Sequence, residues 1–192
     1  MLNQNEAQKI FKDSGALLNG HFILTSGRHS NQYMQCAQVL QYPGYTEELA
    51  RHLADKFRND GIEIVIGPAM GGIIVAYEVA RQLGVPALFT ERQDGAMTLR
   101  RGFTINPGQK VLVVEDVVTT GGSVKEVIDV VRAQGGEVVG VGVLVDRSNG
   151  KVSFGVKQEP VLSMDIESWT VEECPLCKAG DSKAVKPGSR GA

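Results

Sequence analysis

The sequence has few cysteines, no long apolar run and no excess of one charge. Its three cysteines are too few and too unevenly placed for a disulfide framework, which favours a reducing compartment. Twenty basic residues against 22 acidic ones give a formal net charge of -2, so the overall charge attracts neither nucleic acid nor an anionic membrane. No apolar stretch approaches bilayer-spanning length, and the polar start MLNQNEAQKIF does not resemble a leader. We therefore expect a soluble cytoplasmic protein that binds neither nucleic acid nor membrane.

What the sequence does contain is enough apolar material for one substantial core. Hydrophobic residues make up 42% of its 192 positions, and this length favours a single domain, which we place at residues 1–170. Within it, residues 1–40 show a helical pattern followed by two short strands around a Ser-Gly turn, which predicts a small N-terminal hood. Residues 171–192 are polar and rich in Gly, Lys and Pro, so we expect an irregular tail there.

Between the hood and the tail, strand-like and helix-like patterns alternate. The β-branched runs IEIVIG, VPALFTE, KVLVVED and EVVGVGVLVD predict buried strands, and the stretches between them include amphipathic helices that begin after glycine pairs. This order predicts an α/β fold in which a central, mostly parallel sheet is flanked by helices. The segment QDGAMTLRRGF interrupts the alternation with an Asp-Gly turn signal, and predicts either a hairpin or a mobile flap.

The most informative stretch is VLVVEDVVTTGGSV, residues 111–124. Its apolar run predicts a central strand whose carboxyl end lies at the edge of the sheet, where open α/β folds bind ligands. The Thr-Thr-Gly-Gly-Ser turn then exposes backbone N–H groups at a helix N-terminus, which makes a cradle for a phosphate. Glu115 and Asp116 would repel that phosphate but suit vicinal hydroxyls, so the pair and the cradle together indicate a sugar phosphate. An ordinary buried strand followed by a capped helix is the alternative.

This stretch resembles the signature with which type I phosphoribosyltransferases bind phosphoribosyl pyrophosphate (PRPP). The resemblance covers residues 10 to 170 approximately and implies the type I phosphoribosyltransferase fold. It implies that Glu115 and Asp116 hold the ribose and that the loop holds the 5-phosphate. The residues it assigns to PRPP are Glu115, Asp116, Val117, Val118, Thr119, Thr120, Gly121, Gly122 and Ser123, together with Arg92 and, in a pyrophosphate loop IGPAMGGI, Met70 and Gly71.

The hood segment HFILTSGRHSNQYMQC indicates which base is transferred. It resembles the orotate branch of the family, which carries a Phe-x-Leu-x-Ser-Gly-x-x-Ser pattern. A Ser-Gly turn, a fixed positive charge and a stacking ring suit orotate, a planar anion. The alternative is a structural hairpin with a surface arginine. The residues predicted to contact orotate are Ser26, Arg28 and Tyr33 of the hood, Thr119 of the phosphate loop, and Arg147 after the last sheet strand.

The chain departs from the family pattern in two places. The pyrophosphate loop has Met70 and Gly71 where relatives commonly carry a lysine, and the flap lacks the usual catalytic lysine. We expect Arg92, with Arg100 or Arg101, to supply positive charge there, although arginine cannot donate a proton near neutral pH. Glu115 and Asp116 complete the predicted catalytic set.

The implied activity is transfer of a phosphoribosyl group from PRPP to orotate, giving orotidine 5'-monophosphate and pyrophosphate in pyrimidine biosynthesis. The resemblance also implies Mg²⁺, carried by PRPP and not directly ligated by the protein, and a homodimer in which the flap acts on the neighbouring subunit. Two alternatives stay open. One is a phosphoribosyltransferase for a purine or another base, and the other is a PRPP-binding regulatory protein without catalysis.

Cys174 and Cys177 form a Cys-Pro-Leu-Cys pair in the tail, which is similar to half of a zinc ribbon. A closed zinc site needs four ligands. Since the remaining cysteine, Cys36, and all three histidines lie far away in the sequence, the ligand count favours an inert or redox-active pair. A zinc-bridged dimer is left open.

Overall fold

The computed structural model describes residues 2–24, 26–180 and 183–187. Its strands are β1 (Leu17–Ile23), β2 (His29–Met34), β3 (Ile64–Pro68), β4 (Ala87–Gln93), β5 (Ala96–Leu99), β6 (Lys110–Val118), β7 (Glu137–Asp146) and β8 (Lys157–Ser163). Its helices are α1 (Gln4–Asp13), α2 (Ala37–Leu40), α3 (Pro43–Phe57), α4 (Gly71–Leu83), α5 (Gly122–Ala133) and α6 (Pro175–Ala179).

Six strands form the central sheet in the order β5-β4-β3-β6-β7-β8. All neighbours run parallel except β4 and β5, which form an antiparallel hairpin. The predicted α/β fold with a mostly parallel sheet is therefore confirmed. Of the two alternatives for QDGAMTLRRGF, the structure has the hairpin, and Asp94 and Gly95 at its tip have φ of 52° and 86°, as a tight two-residue turn requires.

Helices cover both faces of the sheet because successive strand residues point to opposite sides. On one face, Val65, Leu112 and Val114 pack against apolar residues of α1, α3 and α4. On the other, Ile66 and Val113 pack against α5. This double burial explains why the strand sequences read as continuous apolar runs instead of alternating ones.

The hood consists of α1 and the hairpin of β1 and β2. Leu17 and Met34, a pair across this hairpin, are buried in the same core as Ile10 and Phe11 of α1, so the hood is anchored by apolar packing. The helix begins at a capping box, in which Asn3 and Glu6 each accept a hydrogen bond from the other's backbone N–H.

The C-terminal segment returns to the hood. Trp169 pairs with His29 of β2 through two backbone hydrogen bonds of 2.8 Å, and Val185 pairs with Phe22 of β1. The segment predicted to be an irregular tail contains the short helix α6; its residues 181–182 and 188–192 lie outside the described part. Within the described residues, no helix is both long and apolar enough to cross a membrane.

Candidate active site

The predicted phosphate loop lies where β6 ends and α5 begins. A cavity of about 200 Å³ opens there, and its walls contain most of the residues predicted from the sequence. They are Arg92, Glu115, Val117, Val118, Thr119, Thr120, Gly121, Gly122 and Ser123, with Val124 and Glu126 added. Because the first turn of a helix leaves backbone N–H groups unpaired, this end of α5 suits an anion.

Gly121 gives the loop its shape. It is the N-cap of α5 and has φ of 75°, a conformation that residues with a side chain rarely adopt. A Cβ at this position would lie 2.6 Å from Val152 Cγ1 and 2.9 Å from Phe154 Cε1. Both the backbone conformation and the lack of space therefore require glycine here.

The two acids of the signature have different places: Glu115 lines the cavity, whereas Asp116 is not among the lining residues and lies against Gly71 of the predicted pyrophosphate loop. Glu115 is 7% exposed, and its Oε1 accepts a hydrogen bond from the Asp116 backbone N–H at 3.2 Å. Asp116 Oδ1 accepts one from the Val117 N–H at 2.7 Å. Burial, and then the neighbouring Asp116, raise the pKa of Glu115, and burial also raises the pKa of Asp116. The raised pKa values therefore favour a protonated carboxyl in this pair until a ligand supplies other partners.

The predicted pyrophosphate loop meets these acids directly. A Cβ on Gly71 would lie 2.2 Å from Asp116 Oδ2, and one on Gly72 would lie 2.7 Å from Pro68 Cδ. Glycine is thus required at both positions for the backbone to pass beside the acids. Met70, by contrast, is 82% exposed. The structure therefore brings the loop between β3 and α4 to the same sheet edge as the phosphate loop.

The three flap arginines have different surroundings. Arg92 lines the cavity and donates to Glu126 Oε1 at 2.9 Å and to the Gly95 carbonyl at 2.8 Å. Arg101 forms a two-pronged ion pair with Glu91, both contacts being 2.8 Å. Arg100 is exposed and helps to lower the pKa of Glu91. Only Arg92 of the three lies on the wall of the cavity.

Arg147 follows β7 at the same edge of the sheet. Its backbone N–H donates to the Val118 carbonyl at 2.8 Å, and Asp146 shapes the turn by accepting from Ser148 N–H at 2.7 Å and Gly150 N–H at 3.1 Å. The Arg147 Nε is buried and donates no hydrogen bond to any residue that the structure describes. Burial lowers the pKa of Arg147, and nearby Tyr33 and Cys36 partly offset this effect. A buried cation with an unused donor is suited to an anionic ligand.

The predicted orotate residues of the hood divide into two groups. Tyr33 lies near Arg147, and its ring is 5.9 Å from that of Phe22. Arg28 instead bonds Ser168, with Nε donating to the Ser168 hydroxyl at 2.9 Å, and Ser26 is exposed. The structure thus places Tyr33 with Arg147 and Arg28 against the C-terminal segment. The roles of all these residues stay predictions.

Sequence reasoning missed two residues of the site. Cys36 is buried beside Asp116, to whose carbonyl its thiol donates at 3.6 Å, and it connects the hood to the acid pair. Glu126 accepts from Arg92, while its Oε2 is buried and lacks a partner among the described residues. Glu126 lies one turn into α5, so its position shortly after the glycine pair could have predicted that it belongs to the site. No local sequence pattern predicts the position of Cys36.

A larger cavity, of about 610 Å³, lies between α1 and α3. Its walls include Glu6, Asp13, Glu48 and Asp55, so it carries more acidic than basic side chains and would repel a phosphate. The smaller cavity at the sheet edge therefore remains the candidate site.

Comparison with known proteins identifies the family of the chain. The model of the phosphoribosyl transferase domain family matches residues 35–173, and the chain belongs to this family. Within it the chain groups with the orotate phosphoribosyltransferases. It is 62% identical to those of Desulforamulus reducens and Pelotomaculum thermopropionicum over 189 residues, which covers 98% of this chain and 98% and 99% of theirs. The crystal structure of the Aeropyrum pernix orotate phosphoribosyltransferase superposes with a TM-score of 0.69 at 29% identity, over 81% of this chain and 92% of that one.

Proposed function

We propose that this chain transfers the phosphoribosyl group of PRPP to orotate, releasing pyrophosphate and forming orotidine 5'-monophosphate, a step of pyrimidine biosynthesis. The observation that carries the proposal is the buried Arg147 Nε, which has no hydrogen-bond partner among the residues that the structure describes and lies near Tyr33, at the same sheet edge as the sugar-phosphate cradle. The phosphate loop at residues 119–123 suits the 5-phosphate of PRPP, and the Arg147 cation suits an anionic base. The names of the close relatives support the same substrate.

The reaction develops charge at both ends of the bond that breaks. As the bond from the anomeric carbon to pyrophosphate lengthens, positive charge grows on the ribose and negative charge on the leaving group. Asp116 and Glu115 hold the ribose hydroxyls and stabilise the positive charge, while the backbone N–H groups of residues 119–123 fix the 5-phosphate. Arg92 would release Glu126 and bind the leaving pyrophosphate instead. Because Arg92 already lines the cavity, this exchange needs little movement of its side chain.

The proposal includes a magnesium ion that binds together with PRPP. The donor set fits such an ion, because the carboxylates and hydroxyls around the cavity are the oxygen ligands that Mg²⁺ prefers. When bound with PRPP, it would neutralise charge on the pyrophosphate. The proposal also includes a homodimer and a cytoplasmic location, the latter supported by three free cysteines.

The direct test is the loss of orotate absorbance when purified protein is mixed with orotate, PRPP and Mg²⁺. We expect loss that requires all three. Asp116→Asn should lower turnover by about 10²–10³-fold, the range found when one preorganised group that stabilises transition-state charge is removed from an enzyme. Asp129→Asn, an exposed position on α5, is the matched control and should keep normal turnover.

Two results would count against the proposal. Turnover with adenine or hypoxanthine but not with orotate would indicate the alternative base. Calorimetric binding of PRPP without any turnover would indicate a regulatory protein. Circular dichroism of the Asp116→Asn variant shows whether a loss of turnover reflects the site and not the fold.

A further inference from the structure

A second cluster of reactive side chains lies on the hood, away from the cavity. His21 of β1, His29 of β2, and Cys174 and Cys177 at the start of α6 converge, and their four ligand atoms all lie within 4.8 Å of one another. The Cys177 Sγ is 3.2 Å from His29 Nδ1 and 3.6 Å from His21 Nε2, and the Cys174 Sγ is 3.5 Å from His21 Nε2. The two ring nitrogens are 2.8 Å apart.

These separations match a tetrahedral metal site. With Zn–S near 2.3 Å and Zn–N near 2.05 Å, tetrahedral angles place sulfur and nitrogen ligands about 3.6 Å apart and two nitrogens about 3.4 Å apart. The three measured sulfur–nitrogen distances lie within about 0.4 Å of that value. The nitrogen pair is shorter, and would separate slightly around an ion. Two cysteines and two histidines are also a common ligand set of closed structural zinc sites.

The local structure of the C-terminal segment indicates what a metal would do there. α6 has five residues, and none of them is buried, so apolar packing does not hold this helix in place. Cys174, its N-cap, is nevertheless fully buried, and His21 and His29 are buried as well. A metal bound by these side chains would supply the attachment that a core normally provides in such a small unit.

We propose that His21, His29, Cys174 and Cys177 form a structural zinc site that fastens the C-terminal segment to the hood. All four ligands would come from one chain, so the site differs from a zinc-bridged dimer. It is also independent of the reaction proposed above, since none of its ligands lines the phosphate cavity.

The site would also position the hood hairpin. It joins β1 and β2 to a segment whose other contacts with the hood include the Trp169–His29 and Val185–Phe22 backbone pairs and the bonds of Arg28 to Ser168. Tyr33 lies on the same hairpin, so a loosened segment would disturb the hood side of the candidate active site. The zinc site is thus a second anchor of the hood, alongside its apolar core.

Metal analysis of the full-length protein, purified without chelator after growth with added zinc, tests the proposal. We expect about one zinc per chain, as one closed four-ligand site binds. Cys177→Ser and His29→Asn should lose it, whereas His52→Asn, which changes the histidine outside the cluster, should retain it. Removing zinc with a chelator should lower the Tm of the wild-type protein by at least about 5 °C and leave that of Cys177→Ser unchanged.

Cobalt gives a readout that does not depend on whether the variants fold. Co²⁺ added to the metal-free wild-type protein should produce the visible absorption of a tetrahedral ion with thiolate ligands. Absence of both zinc and this absorption would overturn the proposal. So would a Cys174–Cys177 disulfide in the freshly purified protein, seen as a mass 2 Da lower than that of the reduced chain, or zinc retained after both cysteines are changed to serine.

Discussion

Glu115 and Asp116 show, at the scale of single residues, how function opposes stability in this protein. Neighbouring carboxyls in a buried place disfavour two charges, and burial raises the pKa of both. Backbone N–H groups of the next residues compensate only partly. Such a pair suits ribose hydroxyls, and in the proposed reaction the bound ribose would relieve this destabilising arrangement.

Glu115→Gln should therefore be more stable than the wild type at alkaline pH. A carboxyl whose folded pKa lies above its unfolded value contributes most to stability at low pH and loses that contribution as pH rises through the folded pKa. The neutral amide avoids this loss. We expect its Tm to exceed the wild-type value by about 2–8 °C at pH 8, corresponding to about 1–2 kcal/mol, and the difference to shrink towards pH 4.

Thermal melts across this pH range make the measurement. Glu137→Gln, an exposed glutamate at the start of β7, is the matched control and should track the wild type. A Glu115→Gln variant that is less stable than the wild type at pH 8 would contradict the account of the acid pair.

How far single residues could be predicted depended on whether their partners were close in sequence. The signature at 111–124 places its acids, hydroxyls and glycines within one strand, turn and helix, so the pattern alone predicted most of the residues that line the cavity. The partner of Arg28 is Ser168, and the partners of Cys174 include His21, 140 and 153 residues away. No local pattern reports such pairs, because they depend on how the C-terminal segment packs on the hood.

At the scale of elements, the β4–β5 hairpin places its arginines differently relative to the cavity. It extends an otherwise parallel sheet at one edge and carries Arg92 on its first strand. Arg92 faces the cavity, whereas Arg101 is held by Glu91 and lies over the Phe89 ring, 5.9 Å from its centre. To reach a phosphate, Arg101 must give up both of these contacts.

Arg92→Ala should consequently raise the KM for PRPP more than Arg101→Ala does. Loss of one charge-assisted contact to pyrophosphate should raise it by about 10–100-fold. Arg101 loses an exposed ion pair worth little, so its effect should stay below about 5-fold. Initial rates at varied PRPP measure both, with Arg92→Lys as the charge-conserving control expected to lie between Arg92→Ala and the wild type. Equal effects of the two alanine variants would show that the hairpin rearranges during the reaction.

The order of elements was predictable because each long helix and strand carries its own local signal. α3, α4 and α5 follow amphipathic patterns, and β3, β6 and β7 follow β-branched runs. The short elements α2 and α6 were not predicted, since four or five residues give no period to detect. For the hairpin, the Asp-Gly signal predicted the turn, but pairing of β5 with β4 depends on the sheet edge that receives it.

At the scale of the whole molecule, α4 presents an apolar surface to solvent. Met70, its N-cap, and Ile74 and Tyr77 follow one another at helical spacing, and they are 82%, 44% and 67% exposed. Large apolar residues grouped in this way usually mark an interface. This apolar surface begins at the predicted pyrophosphate loop, so a partner that binds to it would lie beside the candidate active site. This arrangement supports the proposed homodimer.

Tyr77→Glu should therefore dissociate the dimer, because it buries a charge in the proposed interface. Sedimentation velocity should show the wild type as a dimer and the variant as a monomer, and Tyr42→Glu, which changes an exposed tyrosine outside α4, should remain dimeric. Circular dichroism of the variant should be unchanged, which separates loss of the dimer from loss of the fold. A Tyr77→Glu variant that still sediments as a dimer would show that this surface of α4 is not the interface.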